Sequence, residues 1–161
     1  EPLVKLTWMN VRFNWGEDSK EAFQILEVKL LSPAILGHPD LNKPLIVHTD
    51  SSSFAVGAVL SQKEDSGQEK VLAYMSKKLK DAETRYSTTE QELLAVKYAV
   101  EKFHPYLYGK RFTIVTDHQP LVYLRNCGNP TGRHIRWLLK LESYDYEIQH
   151  RRGQFEPKPV V

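Results

Sequence analysis

The chain has a single cysteine in 161 residues, Cys127. A lone cysteine cannot close an internal disulfide. It also excludes a cysteine-rich zinc site, so any metal here must be held mainly by oxygen. A reducing compartment suits such a sequence. No apolar run approaches the roughly 20 residues that a membrane span requires. The opening residues Glu1-Pro2-Leu3-Val4-Lys5 lack the pattern of a signal peptide. There is no internal repeat and no low-complexity tract. Neither sign of charge dominates, with 22 Lys and Arg against 20 Asp and Glu. The distribution is uneven: 13 basic and 15 acidic side chains in residues 1–102, then 9 against 5 in residues 103–161. A mildly basic final third is compatible with a nucleic-acid surface and equally with ordinary solvated charge. The chain is 41% hydrophobic and 26% charged, the composition of a soluble globular domain.

Residues 1–15 read as irregular. Gly16-Glu17-Asp18-Ser19 leads into a helical pattern that puts Phe23, Leu26, Leu30 and Leu31 on one side, and Pro33 ends it. Pro39 to Pro44 is turn-rich and reads as a linker, with a domain boundary near residue 43. Strands are expected over Leu45–Asp50, Phe54–Gln62 and Lys70–Met75, the last two joined by a hairpin turn at Lys63–Gly67. A long helix runs from about Thr88 to Tyr108, with Ser87 or Thr88 as N-cap and Gly109 as the stop. A strand at Phe112–Asp117 follows. A short helix starts near Pro120, another runs from about Thr131 to Ser143, and Tyr146–His150 is the last strand. The order β-β-β-α-β-α-α-β predicts a mixed sheet with helices packed on it.

Two apolar strands end in an acid: Ile46-Val47-His48-Thr49-Asp50 and Ile114-Val115-Thr116-Asp117. A helix lies between them, so a parallel crossover pairing is natural. It would bring both carboxylates to the C-terminal edge of the sheet, where open α/β sheets bind ligands. The long helix supplies a third acid. With Glu92 at zero, Val96, Ala99, Phe103 and Leu107 fall within about 60° of it. Glu92 therefore sits on the inward, apolar face. Glu90 falls on the other side, with Lys97 and Glu101, a solvated face with no expected role. A charge on an apolar stripe is costly unless paired or bound to metal. Three converging carboxylates need a cation, and oxygen donors suit Mg²⁺ or Mn²⁺. The competing reading treats both aspartates as turn formers or caps and Glu92 as part of a capping box.

Thr49-Asp50-Ser51-Ser52, Gly57 to Gln62, Tyr86 to Ala95 and Thr116-Asp117-His118 resemble the ribonuclease H domain of reverse transcriptases, most nearly those of gypsy-type long-terminal-repeat retrotransposons. Phe103 to Gly109 and Gly132 to Trp137 match that pattern as well. Phe13-Asn14-Trp15 to Pro44 resembles the stretch that joins the polymerase to its nuclease. The resemblance implies an α/β ribonuclease H-like fold, a five-stranded mixed sheet flanked by helices. Residues 1–43 would be the connecting segment and 44–161 the nuclease-like domain. It implies metal-dependent hydrolysis of the RNA strand of RNA·DNA hybrids. Two Mg²⁺ ions, replaceable by Mn²⁺, would be held by Asp50, Glu92 and Asp117. The partners implied are the hybrid and an adjoining polymerase domain. Ser87, Thr88, Thr89, Arg133, Arg136 and Lys140 would contact nucleic acid, joined by Arg125, Arg151 and Arg152. His150 and His118 are accessory residues. Trp137 reads as core and not as a stacking platform. The family's fourth acid is missing: counting from Gly153, Val160 stands in its place, and Glu156 lies four residues early. Two readings stay open, an active nuclease and a catalytically impaired module that serves as a connection, a scaffold or a nucleic-acid-binding domain.

Overall fold

The computed structural model describes residues 2–32, 36–117 and 132–150. The chain divides into two compact units, residues 1–38 and 39–161. The first holds helix α1, Pro2–Lys5, and helix α2, Glu17–Leu30. The short α1 lies where the sequence reads as irregular. Phe13 stacks on Trp15 at 6.5 Å, and Trp15 meets Phe23 edge-on at 5.9 Å.

The second unit is built on five strands: β1 Leu45–Ser51, β2 Ala55–Lys63, β3 Glu69–Lys78, β4 Arg111–Thr116 and β5 Asp145–His150. Two helices, α3 Thr88–Leu107 and α4 Gly132–Glu142, complete it. The sheet order is β3-β2-β1-β4-β5. β1 pairs antiparallel with β2, and β2 with β3. β1 and β4 run parallel, as do β4 and β5. The expected mixed sheet is therefore present. β3 is longer than its sequence pattern suggests, because its outer end pairs with β2 as far as Ala55 opposite Lys78. The expected helix near Pro120 lies outside the described residues.

The segment read as a linker belongs to the second unit. The Gln62 side chain accepts from the Asp40 backbone N–H at 2.9 Å and donates to the carbonyls of Asp40 and Lys43. Turn-rich composition marks local conformation; it does not record that a strand residue satisfies the turn's backbone groups.

Strand parity sorts the core. Leu45, Val47, Val56, Ala58, Leu60, Phe112 and Ile114 point to one face and cluster with Leu93, Val96, Phe103 and Leu107 of α3. All eleven are at most 5% exposed. Ser87 caps α3: its Oγ accepts from the Glu90 N–H, and the Glu90 carboxylate accepts from the Ser87 N–H. Gly109 adopts φ +71°, a left-handed conformation that suits glycine just past a helix end. Trp137 and Leu141 bring α4 into the same core, so Trp137 is indeed a core residue.

Candidate active site

The ladder between β1 and β4 runs from Leu45 opposite Phe112 to His48 opposite Val115. Carried two residues further, the same offset sets Asp50 level with Asp117. Both are exposed at the strand ends. Equal parity puts them on the face turned away from α3, together with Ile46, His48 and Val115. On the other side of β1, Asp50 is opposite Gly57, which has no side chain to crowd it.

Glu92 reaches the same sheet edge from the helix layer. It is 2% exposed, and its carboxylate Oε1 accepts from the Ser51 N–H at 3.1 Å and the Ser51 Oγ at 2.5 Å. Ser51 directly follows Asp50, so backbone geometry ties the helix acid to the strand acid. Val96, Ala99, Phe103 and Leu107 are all buried beside it, as the helical phase predicts. The donors are carboxylate oxygens, the set that suits a hard divalent cation. As they stand, no three His, Cys, Asp or Glu side chains among the described residues lie close enough together to hold a metal ion. Glu92 is drawn to Ser51 from the helix layer.

Glu90 departs from expectation. It does not face solvent. Its carboxylate accepts from Ser87 N and Oγ at 3.0 Å, from Arg133 Nη2, and from His134 Nε2 at 2.8 Å. Burial alone would raise its pKa. The hydrogen bonds from His134, Ser87 and Arg133 outweigh that and lower it to about 2. Helical phase describes only the side of α3 that meets the sheet, and α4 covers another side. The capping-box glutamate is Glu90 and not Glu92, as the competing reading has it; the Ser-x-x-Glu spacing from Ser87 to Glu90 is the sequence signal that could have found it.

Two of the three α4 bases are paired with acids of α3. The Arg133 guanidinium pairs with Glu90 and lies 4.0 Å from the centre of the Tyr86 ring. Lys140 pairs with Glu101 of α3, which also holds Lys97 at 3.2 Å. Arg136 remains exposed. Ser87 spends its hydroxyl on the cap, whereas Thr88 is exposed and Thr89 half-buried at the helix start. His150 is exposed at the end of β5, opposite Thr116. The positions of His118, Arg125, Arg151, Arg152, Glu156 and Val160 lie outside the described residues.

Sequence reasoning did not anticipate a shallow groove on the outer face. It encloses about 270 Å³ between Ile46, His48, Lys63, Glu69, Val115, Gln149 and His150. Glu69 accepts from or pairs with His48 Nε2 at 2.8 Å and accepts from Ser61 Oγ at 3.2 Å.

Fold and strand-end acids place the chain in a class that comparison with known proteins makes specific. Residues 40–144 match the family described as the RNase H-like domain found in reverse transcriptase. The chain belongs to that family. It is 40% identical over 152 residues to the retrovirus-related Pol polyprotein from transposon 412 of Drosophila melanogaster, covering 94% of this chain and 12% of that protein. It is 35% identical over 156 residues to the transposon Tf2-3 polyprotein of Schizosaccharomyces pombe, again 94% and 12%. The chain thus spans about an eighth of the length of these relatives. Among solved structures, a prototype foamy virus protease-reverse transcriptase superposes with a TM-score of 0.73 at 14% identity, covering 100% of this chain and 24% of that one. A foamy viral protease-reverse transcriptase in complex with RNA/DNA hybrid gives 0.64 at 19% identity, covering 99% and 23%. At such identities these two bear on the fold alone.

Proposed function

We propose that the second unit is a retroelement ribonuclease H that hydrolyses the RNA strand of RNA·DNA hybrids. The observation that supports this reading is the parallel β1–β4 ladder, which runs to His48 opposite Val115, two residues short of Asp50 and Asp117, with Glu92 tethered to Ser51 at the end of β1. Asp50, Glu92 and Asp117 would hold divalent ions, Mg²⁺ or Mn²⁺. When bound, such ions supply activation of the attacking water and stabilisation of the leaving oxygen. The chain's own part is placement. Ser51 holds Glu92 Oε1 through its N–H and its hydroxyl and so fixes the carboxylate's place beside the end of β1. Asp50 and Asp117 are exposed at the strand ends, where a phosphodiester can approach. Thr88, Thr89 and Arg136 are suited to the nucleic-acid backbone, and a 2′-hydroxyl contact would mark the RNA strand. The first unit, residues 1–38, would connect the second to a polymerase domain, and His150 would line the site from β5.

The test is cleavage of an end-labelled RNA·DNA hybrid in Mg²⁺ by the chain and by Asp50→Asn. The variant should lose activity by at least about a thousandfold, some 4 kcal/mol of barrier, while its melting temperature is unchanged or raised, because one charge leaves a repelling pair. Undiminished cleavage by Asp50→Asn would overturn the reading. A second reading, a non-catalytic module of the same fold, is favoured by Val160 at the family's fourth acidic position. Under it, neither protein cleaves at any Mg²⁺ or Mn²⁺ concentration.

A further inference from the structure

A helix begins with four backbone N–H groups that have no partner within it, so its first turn is prone to fray. In α3 this is the turn that leads directly into Glu92, the fifth residue of the helix. Glu92 must hold its phase closely. A slip of one residue would swing it by about 100° and off Ser51. Something has to keep that turn wound, and Ser87 by itself secures only one end of it.

The side chain that does more is Glu90. Its Oε2 accepts from the N–H and hydroxyl of Ser87, which closes the cap. Its Oε1 accepts from Arg133 and His134 at the start of α4. One carboxylate therefore joins the start of α3 to a second helix more than 40 residues away in sequence. The cationic side of this junction is itself held. Arg133 lies over the Tyr86 ring, and His134 is 7% exposed and packs 5.9 Å from the Trp137 ring. A surface ion pair contributes little because its side chains are free to move. Here the Tyr86 ring and the burial of His134 limit that freedom.

We propose that Glu90 is a positioning residue: clamped by Arg133 and His134 of α4 and by Ser87, it fixes the first turn of α3 and with it the carboxylate of Glu92. The proposal rests on the nuclease reading for its consequence in catalysis. It also moves Arg133 from the phosphate-binding set to the positioning set. Neither residue touches substrate; both act through Glu92.

The experiment is a double-mutant cycle in the full chain with Glu90→Gln, Arg133→Met and the pair. Two readouts are taken: kcat and KM for hybrid cleavage in Mg²⁺, and amide hydrogen exchange over residues 88–92 without metal. Each single substitution should lower kcat about tenfold with KM within about twofold, the size expected from a small misplacement of a reacting group. The double variant should be no worse than either single, since both break one clamp. Exchange over 88–92 should quicken in all three. Should Glu90→Gln fail to fold, Arg133→Lys serves in its place, with an effect intermediate between the chain and Arg133→Met. A raised KM with unaltered kcat and exchange in Arg133→Met would make Arg133 a phosphate contact and end the proposal. So would multiplicative effects in the cycle, or unaltered exchange in both single variants. If the unsubstituted chain leaves the hybrid intact, it is the nuclease reading that fails. The exchange comparison then decides the clamp: faster exchange sustains it, and unchanged exchange overturns it.

Discussion

Among the described residues, one face of the sheet is packed against α3 and the other carries a shallow groove, and the two hold different kinds of residue. On the packed face Leu45, Val47, Phe112 and Ile114 meet α3, and Phe103 and Leu107 are at most 1% exposed there. On the other face Ile46 and Val115, at 9% and 8% exposed, make a shallow apolar floor among His48, Lys63, Glu69, Gln149 and His150. Strands that alternate direction every residue make this division possible within one sheet. Burial stabilises the fold where water is excluded. Carboxylates are tolerated where water or a cation can reach them, because an isolated buried charge costs far more than a hydrogen-bonded one. Glu92 is the exception that joins the two: an acid of the helix layer, buried, and held by Ser51 at the strand end.

The strongest way to break this comparison is Phe103→Ala. It empties part of the packed face and should cost about 3–5 kcal/mol in denaturant unfolding, a large share of the roughly 5–15 kcal/mol a domain has. A loss under about 1 kcal/mol would mean that the packed face is not the stabilising one. A smaller effect is expected from Glu83, which lies beside α3. Burial works to raise its pKa, but the Lys80 N–H, the Tyr98 hydroxyl at 2.6 Å and the charges of Lys80 and Lys77 lower it overall. A lowered carboxylate pKa contributes stability above the unfolded value, and that stability is lost as pH falls through the folded one. Glu83→Gln should therefore be less stable than the original at pH 7 by about 1–3 kcal/mol. The gap should narrow below about pH 4, and a gap that widens on acidification would reverse the assignment. The smallest effect belongs to the grooved face. The half-exposed His48–Glu69 pair should contribute under about 1 kcal/mol, so His48→Ala should shift the unfolding midpoint only slightly. A large shift there would show that this face, too, is structural.

Strand ends and the inward phase of α3 were readable from residue order because each depends on local periodicity. Glu90 shows where that reading stops. Its phase on α3 is as expected, and its surroundings are not, since Arg133 and His134 come from a helix that periodicity cannot place. The same holds for Arg133 and Lys140. Their spacing along α4 suggested a basic row for phosphates, and packing turned them onto Glu90 and Glu101. The capping box at Ser87 and Glu90 was legible as a pattern; that its glutamate also serves a second helix was not.

Sequence alone determined the order of the five strands and of helices α2, α3 and α4, the two acid-tipped strands and the buried glutamate, because alternation and helical phase are properties of a single segment. Tertiary structure decided three further matters. The parallel β1–β4 pairing brought the two acid-tipped strands side by side. Gln62 claimed the 39–44 turn for the second unit. The α3–α4 contact paired charges expected to be solvated singly: Arg133 with the half-buried Glu90, and Lys140 with Glu101 at the surface. Each depends on which distant segments come within hydrogen-bonding reach, and that reach is set only once the chain has packed.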